Sequence, residues 1–292
     1  MADVLINAIE QGLALVAATP PTSAERPLLH HNLCINYREL HRFSLDDSHL
    51  DDAVSHGEQA IDLLASADGA RPFALFTTAL AYADRHRATG DPTDIDRAAE
   101  LGREAAAGLA PDYPDRPDVL HHTSIFLAER HRHTGDPEDL IQAVEAAHLA
   151  SSATPDWSPD RSRYLANQAR RLDDLHRITG AEDDLRRAIG GARRALIAAS
   201  DDDPERHDHL GHYGRLLAEL FERTSDLATL RAAVASSTEA LGLVPDGDQA
   251  AWVHHADALV AQLTRLAEAA EDPHYDRRAA AIRARYPDRP DR

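Results

Sequence analysis

Histidines are the residues of this chain with the most evident capacity for chemistry. The 292-residue sequence has 18 of them, and two short stretches are richest, HDHLGHYG from His207 and HHAD from His254. Imidazole and carboxylate groups together bind Zn²⁺ and related ions, so three or four of these side chains could converge on a metal. The candidate ligands are His209, His212, His254 and Asp257. Because no pattern of supporting carboxylates accompanies them, a solvated helix face is the favoured interpretation, and we predict no metal and no cofactor.

Other catalytic signatures are missing from the sequence. It contains no nucleophile elbow, no glycine-rich phosphate loop and no HExxH zinc motif. Cys34, the single cysteine, excludes an internal disulfide and a cysteine-based zinc site. It aligns with small residues of the repeat described below, so we predict a packing role. The acidic stretches from Asp46 and Asp201 are explained by helix capping. The sequence therefore favours a non-enzymatic role.

The charge balance excludes some classes of partner. Lys+Arg 31 against Asp+Glu 50 leaves a formal net charge of −19, whereas nucleic acids and anionic membranes require clustered positive charge. The basic residues are all arginine, which indicates a GC-rich, bacterial source. The N-terminal stretch lacks the positive region of a signal peptide, and no apolar run is long enough for a transmembrane helix. With one free thiol, we predict a cytoplasmic protein.

The elements that position these side chains repeat every 45 residues. Gly90, Gly135 and Gly180 mark the period, and six rows align without a gap. One column of equivalent positions is always large and apolar: Leu5, Leu50, Ile95, Leu140, Leu185 and Leu230. A second column is always alanine: Ala8, Ala53, Ala98, Ala143, Ala188 and Ala233. Such self-similarity is the mark of a repeat architecture.

Each row predicts two helices. Leu140, Ala143, Val144 and Ala147 fall at i, i+3, i+4 and i+7, the spacing of one apolar helix stripe, here named helix B. A preceding helix A often starts at Arg-Pro and ends at the glycine that marks the period. One such pair cannot bury its own stripe, but stacked pairs form a continuous core. One column of histidines lies in the last turn of helix A, where the helix dipole favours imidazolium: His41, His86, His131 and His176. We assign these histidines no catalytic or metal-binding role.

The predicted fold is all-α, a right-handed α-solenoid of stacked antiparallel helix pairs. A single array over 1–292 would contain about six A/B units plus an N-terminal half-unit. Residues 1–20 form a capping helix B, and 286–292 a tail or the start of a further unit. The predicted helical pairs cover 27–65, 72–110, 117–155, 162–200, 207–245 and 252–285.

The spacings resemble the tetratricopeptide repeat. In helix A, Leu33, Cys34 and Tyr37 stand where that family has leucine, a small residue and tyrosine. In helix B, Ala143 and Ala147 match its small positions, with Ala150 and Pro155 following in step. The period of 45 exceeds the family's usual 34. The chain looks most like the long-period bacterial variety with TGD turns, which is found next to CHAT protease or signalling domains.

The resemblance implies that helix A lines a concave groove that binds a peptide or protein segment. The first rows offer apolar and aromatic groups there and the later rows arginines, so we expect a segment with an apolar end and an acidic end. The candidate binding residues are His31, Ile35, Arg38, Phe76, Leu80, His121, Ile125, Arg170 and Arg215.

Three functions remain open at this stage. The first is a protein–protein interaction scaffold that uses the groove. The second is a regulatory or sensor arm of a larger protease or signalling protein. The third is an enzyme or metal-binding protein whose site lies in the groove around the cluster that runs from His207 to His255.

Overall fold

The computed structural model of the chain describes residues 2–285, and these residues form helices joined by short turns, with no strand among them. The predicted tail 286–292 lies outside the described residues. The first helix is α1 (Ala2–Ala18), the predicted capping helix. The helices of type A are α2 (Arg26–Ser44), α4 (Arg71–Thr89), α6 (Arg116–Thr134), α8 (Arg161–Thr179), α10 (Arg206–Thr224) and α12 (Gln249–Ala270). The helices of type B are α3 (Ser48–Asp62), α5 (Pro92–Gly108), α7 (Pro137–Ala153), α9 (Glu182–Ala198), α11 (Leu227–Leu243) and α13 (Pro273–Arg283). The predicted all-α repeat of helix pairs is confirmed.

The helices group into two compact units, of which the first contains α1–α7 and the second α8–α13. Within each unit, a helix A packs against its own helix B, and that helix B packs against the next helix A. The core of both units is built from the repeating columns. Leu50, Leu140 and Leu185 are fully buried, as are the alanines of the neighbouring column, such as Ala53 and Ala143. Each buried leucine contributes about 1.5–3 kcal/mol to the free energy of folding.

The turns between paired helices require left-handed backbone. Gly90, Gly135 and Gly180 have φ values of 75°, 72° and 67°, a region that costs glycine little. In two other rows, Leu45 and Ser225 adopt the same conformation, with φ of 55° and 54°. The geometry of the turn therefore imposes this conformation even where the side chain opposes it.

The arginines of the first two Arg-Pro starts close the preceding helix B. Arg26 Nη1 donates hydrogen bonds to the carbonyl oxygens of Val16 and Thr19, at 3.0 and 2.7 Å. Arg71 Nη1 donates in the same way to Ile61 and Leu64, at 2.9 and 3.1 Å. The last carbonyls of a helix have no partner within the helix, so these bonds satisfy them and fix the first two stacking steps.

No helix in the described part of the chain combines the length and the apolar character that crossing a bilayer requires.

Candidate functional site

Three aliphatic side chains form a partly accessible row on the first unit. Ile35 on α2, Leu80 on α4 and Ile125 on α6 occupy equivalent positions of successive helices A, here named the helix A face. Ile35 is 37% exposed, and the other two are half-buried. The helices of the first two residues, α2 and α4, also touch each other directly. The face can offer apolar contact at one point per repeat.

The predicted groove positions one helical turn before the helix A face differ in how exposed they are. His31 is half-buried, and burial lowers the pKa of its imidazole. The ring of Phe76 meets the edge of His122 with centroids 5.5 Å apart. His121 is 5% exposed and therefore belongs to the core. His31 and Phe76 retain accessible surface, whereas His121 has almost none to offer a partner.

Arg38 is already neutralised by the first unit. Its Nε and Nη2 atoms lie 2.9 and 2.7 Å from Oδ2 of Asp84. The other oxygen of this carboxylate, Oδ1, accepts a hydrogen bond from Arg87. Burial would raise the pKa of Asp84, but the two guanidinium groups outweigh it and lower that pKa. The charge of Arg38 therefore serves the stacking of α2 on α4.

Arg215 is committed in the same way within the second unit. It pairs with the buried Asp173, which also faces Nε2 of His212 at 3.3 Å. Burial raises the pKa of Asp173, but the hydrogen bond from His212 and the charge of Arg215 prevail and lower it to about 2. Arg170 is half-buried, and its charge adds to burial in lowering the pKa of His209 and of His212. The charge of Arg215 is thus paired within the chain, although its side chain remains 39% exposed.

The four predicted metal candidates do not share one cluster. Neither ring nitrogen of the buried His209 has a hydrogen-bond partner among the described residues, and burial lowers its pKa. His212 pairs with Asp173 instead. The ring of His254 stands edge-on to that of His255, at 5.3 Å between centroids. The histidine-rich stretches do meet, but through other residues.

Those residues are His207, Asp208 and His255. His207 Nδ1 lies 3.2 Å from His255 Nε2, and the Oδ1 atom of Asp208 lies 3.3 and 3.4 Å from these two nitrogens. His255 is buried in a column that carries leucine in four of the six rows. Gly211 makes room for it, since a Cβ there would lie 2.5 Å from the imidazole. That departure from leucine was the sequence signal for this site.

A second group with two histidines and a carboxylate lies in the first unit. His86 on α4 and His133 on α6 have their Nε2 atoms 3.1 Å apart, and Glu129 lies beside both. The sequence gives no separate signal for this group, because His86 belongs to the repeated histidine column. In that column the Nδ1 atom faces the carbonyl oxygen five residues on, as in His86 to Asp91 at 2.7 Å. The repeated role of this column is thus a turn hydrogen bond.

Cys34 occupies the core, as its column predicts. Burial raises the pKa of its thiol to about 12, which excludes a thiolate nucleophile near neutral pH. A separate cleft of about 880 Å³ lies in the second unit between α11, α12 and α13, where Trp252 and Ile282 line it. The column pattern did not predict this cleft.

Comparisons with known proteins identify the fold. No family model matches the chain, and no curated protein matches it. Among solved structures, a Podosopora anserina protein described as a kinesin light chain with nearly identical TPR-like repeats aligns with TM-score 0.50 and 17% identity, over 74% of this chain and 96% of that one. The chain has a tetratricopeptide-like fold.

Two further structures are similar. A single-substitution variant of the same Podosopora anserina protein aligns with TM-score 0.50 and 16% identity, covering 76% of this chain and 98% of that one. BtubC (BKLC) from P. vanneervenii aligns over 94% of this chain and 96% of its own, with 19% identity and TM-score 0.47. At these identities the tetratricopeptide-like likeness concerns fold, so function must be argued from the side chains.

Proposed function

We propose that this tetratricopeptide-like chain is a non-catalytic scaffold that binds a segment of another protein on the helix A face of its first unit. The observation that carries the proposal is the row of exposed Ile35 and half-buried Leu80 and Ile125, which leaves some aliphatic surface accessible at equivalent points of three helices. Repeat proteins present such a row as an extended binding surface. A regulatory arm of a larger protein would use the same surface.

The segment is expected to be apolar where it meets this row. Half-buried Phe76 lies one helical turn before Leu80 and widens the apolar area. Arg38, the predicted groove arginine of the first unit, is paired with Asp84 of this chain, so this face does not require an acidic end in the segment. Affinity should therefore depend weakly on salt, because screened charge pairs contribute little to it.

A displayed peptide library, selected against the untagged full chain, tests the proposal. Selected peptides are then measured by fluorescence anisotropy against the triple variant Ile35→Gln, Leu80→Gln, Ile125→Gln. The matched control is Ile141→Gln with Leu149→Gln, two exposed aliphatic positions on α7 of the same unit. Loss of binding in the triple variant alone supports the face as the site. Equal binding by both variants, each with an unchanged circular dichroism melt, refutes it.

The triangle of His207, Asp208 and His255 supports a second candidate function, metal binding in the second unit. Three ligand atoms 3.2–3.4 Å apart have the spacing of one face of a zinc tetrahedron. His255→Leu restores the residue typical of its column and should remove one equivalent of bound Zn²⁺. Gly211→Ala, which displaces the imidazole while keeping every ligand, should weaken the same site. An unchanged stoichiometry in both variants excludes this candidate.

A further inference from the structure

The first unit brings ligands of a metal site together from two consecutive helices A. Glu129 and His133 are separated by one helical turn on α6, so their side chains project from the same side of that helix. His86 comes from the last turn of α4 and is buried. Two imidazoles and one carboxylate with open positions form a recurrent ligand set for divalent transition metals.

The distances suit such an ion. The Nε2 atoms of His86 and His133 lie 3.1 Å apart, and Oε1 of Glu129 lies 3.9 and 3.7 Å from them. The three atoms define a triangle whose corners all lie about 2.1 Å from one central point, which matches zinc–nitrogen and zinc–oxygen bonds of about 2.0–2.2 Å. A single ion at that point would reach all three without movement of the backbone.

Neighbouring groups hold two of the ligands in the required state. His86 Nδ1 donates its proton to the carbonyl oxygen of Asp91 at 2.7 Å, since a carbonyl can only accept. In the neutral imidazole, Nε2 is then the atom that carries the lone pair, and it faces Nε2 of His133 at hydrogen-bond distance, 3.1 Å. Arg132 binds the other oxygen of Glu129, which leaves Oε1 turned to the histidines. Metal-binding histidines and carboxylates usually have such outer partners.

The repeat supplies a natural comparison in the second unit. His176 and Glu219 occupy the positions of His86 and Glu129, and their Nε2 and Oε1 atoms are also 3.9 Å apart. The position of His133 is taken by Arg223, whose Nε lies 3.6 Å from Glu219. The same scaffold thus accepts arginine as a cation at the point where the first unit places a third ligand.

We propose that His86, Glu129 and His133 bind one divalent transition-metal ion of the Zn²⁺ or Co²⁺ type, a function that does not depend on the proposed scaffold role. Glu129 is 27% and His133 38% exposed in their side chains, so the ion exchanges with solvent and keeps water in its remaining positions. It ties α4 to α6, because its ligands come from both helices.

Titration of the untagged full chain with Zn²⁺ against a chromophoric chelator tests the site. All variants carry His255→Leu, so that the triangle in the second unit does not contribute. His133→Arg installs the residue that the equivalent row already carries, which keeps the fold. The matched control is His148→Arg, an exposed histidine on α7. Arg223→His is a gain-of-site variant, and visible absorption of bound Co²⁺ reports the ligand set.

The background protein should bind one equivalent of Zn²⁺, and His148→Arg should bind it equally well. His133→Arg should weaken binding by about 100-fold or more, since even loss of an outer partner costs about 10–100-fold. Arg223→His should raise the stoichiometry from one to two. Equal affinity in His133→Arg and His148→Arg would overturn the proposal, and so would a stoichiometry that stays at one in Arg223→His.

Discussion

Gly57→Ala on α3 is a sharp test of how consecutive repeats stack. In the interior of a helix this change normally stabilises by about 1 kcal/mol, because alanine has the better helix propensity. Here the added Cβ would lie 2.5 Å from Oγ1 and 2.8 Å from Cγ2 of Thr78 on α4. Thr78 is fully buried, and its hydroxyl donates to the carbonyl oxygen of Ala74 at 2.7 Å.

The expected magnitude follows from these contacts. Thr78 must either be compressed, at about 1–3 kcal/mol for an overpacked core, or rotate and lose its buried hydrogen bond, at a similar cost. Subtracting the gain in propensity leaves a net destabilisation of about 1 kcal/mol. In a Thr78→Ala background both clashing atoms are gone, and the remaining Cβ would lie at 3.0 Å. Because that distance is still tight, the gain in propensity is only partly recovered, and the double-mutant coupling energy should be about 1–2 kcal/mol.

Urea unfolding followed by circular dichroism at 222 nm measures the four species of this cycle, with the slope of each curve checked for constancy. Gly190→Ala on α9 is the control, because nothing lies within 4 Å of its added Cβ. It should stabilise by about 1 kcal/mol. If Gly57→Ala stabilises as much as Gly190→Ala does, the close approach of α3 to α4 is wrong, and with it this account of repeat stacking.

Three further outcomes are expected. Leu45→Gly should stabilise by about 1 kcal/mol in urea unfolding, since the turn holds this leucine at φ 55°; a loss of stability would contradict the strain. Ala143→Asp should destabilise by about 3 kcal/mol or more, because it places an unpaired charge in the fully buried alanine column; an unchanged melt would disprove that burial. Burial lowers the pKa of His209, so the unfolded chain binds more protons below about pH 6.5, and stability should fall as the pH drops through that value. His209→Leu should reduce this pH dependence and, by removing two unpartnered nitrogens, stabilise by about 1–3 kcal/mol at pH 7; an unchanged pH profile would count against the burial of His209.

The repeat made the fold predictable from sequence. Each column samples the same environment six times, so the apolar columns that contain Leu140 and Ala143 identified the core directly. The αL turn after helix A was predicted from glycine, and the structure shows the same conformation at Leu45 and Ser225. The hydrogen bonds from Arg71 to carbonyls of the preceding helix could not be predicted, because an Arg-Pro pair indicates only the start of a helix.

The candidate site was predicted less well, for a physical reason. Charge and exposure depend on which side chains meet across helices, and a column states only that its members are equivalent. Arg215 looked available to a partner, yet Asp173 from the neighbouring helix A neutralises it. His209 and His212 were candidate ligands on a helix face predicted to be solvated, yet one is buried without hydrogen bonds and the other pairs with Asp173.

Departures from a column carry the functional information that the columns themselves lack. In a buried column, packing favours the same residue type in every row. A different residue that such a column tolerates is therefore not explained by packing alone. His255 departs from the four leucines of its column and meets His207, whereas His133 lies in a column whose residue differs in every row and meets His86. In both cases the histidine lies opposite another histidine of a neighbouring helix A, with a carboxylate beside the pair. The same set of groups thus arises in both units at positions that the repeat does not prescribe, and both metal-binding proposals rest on this recurrence.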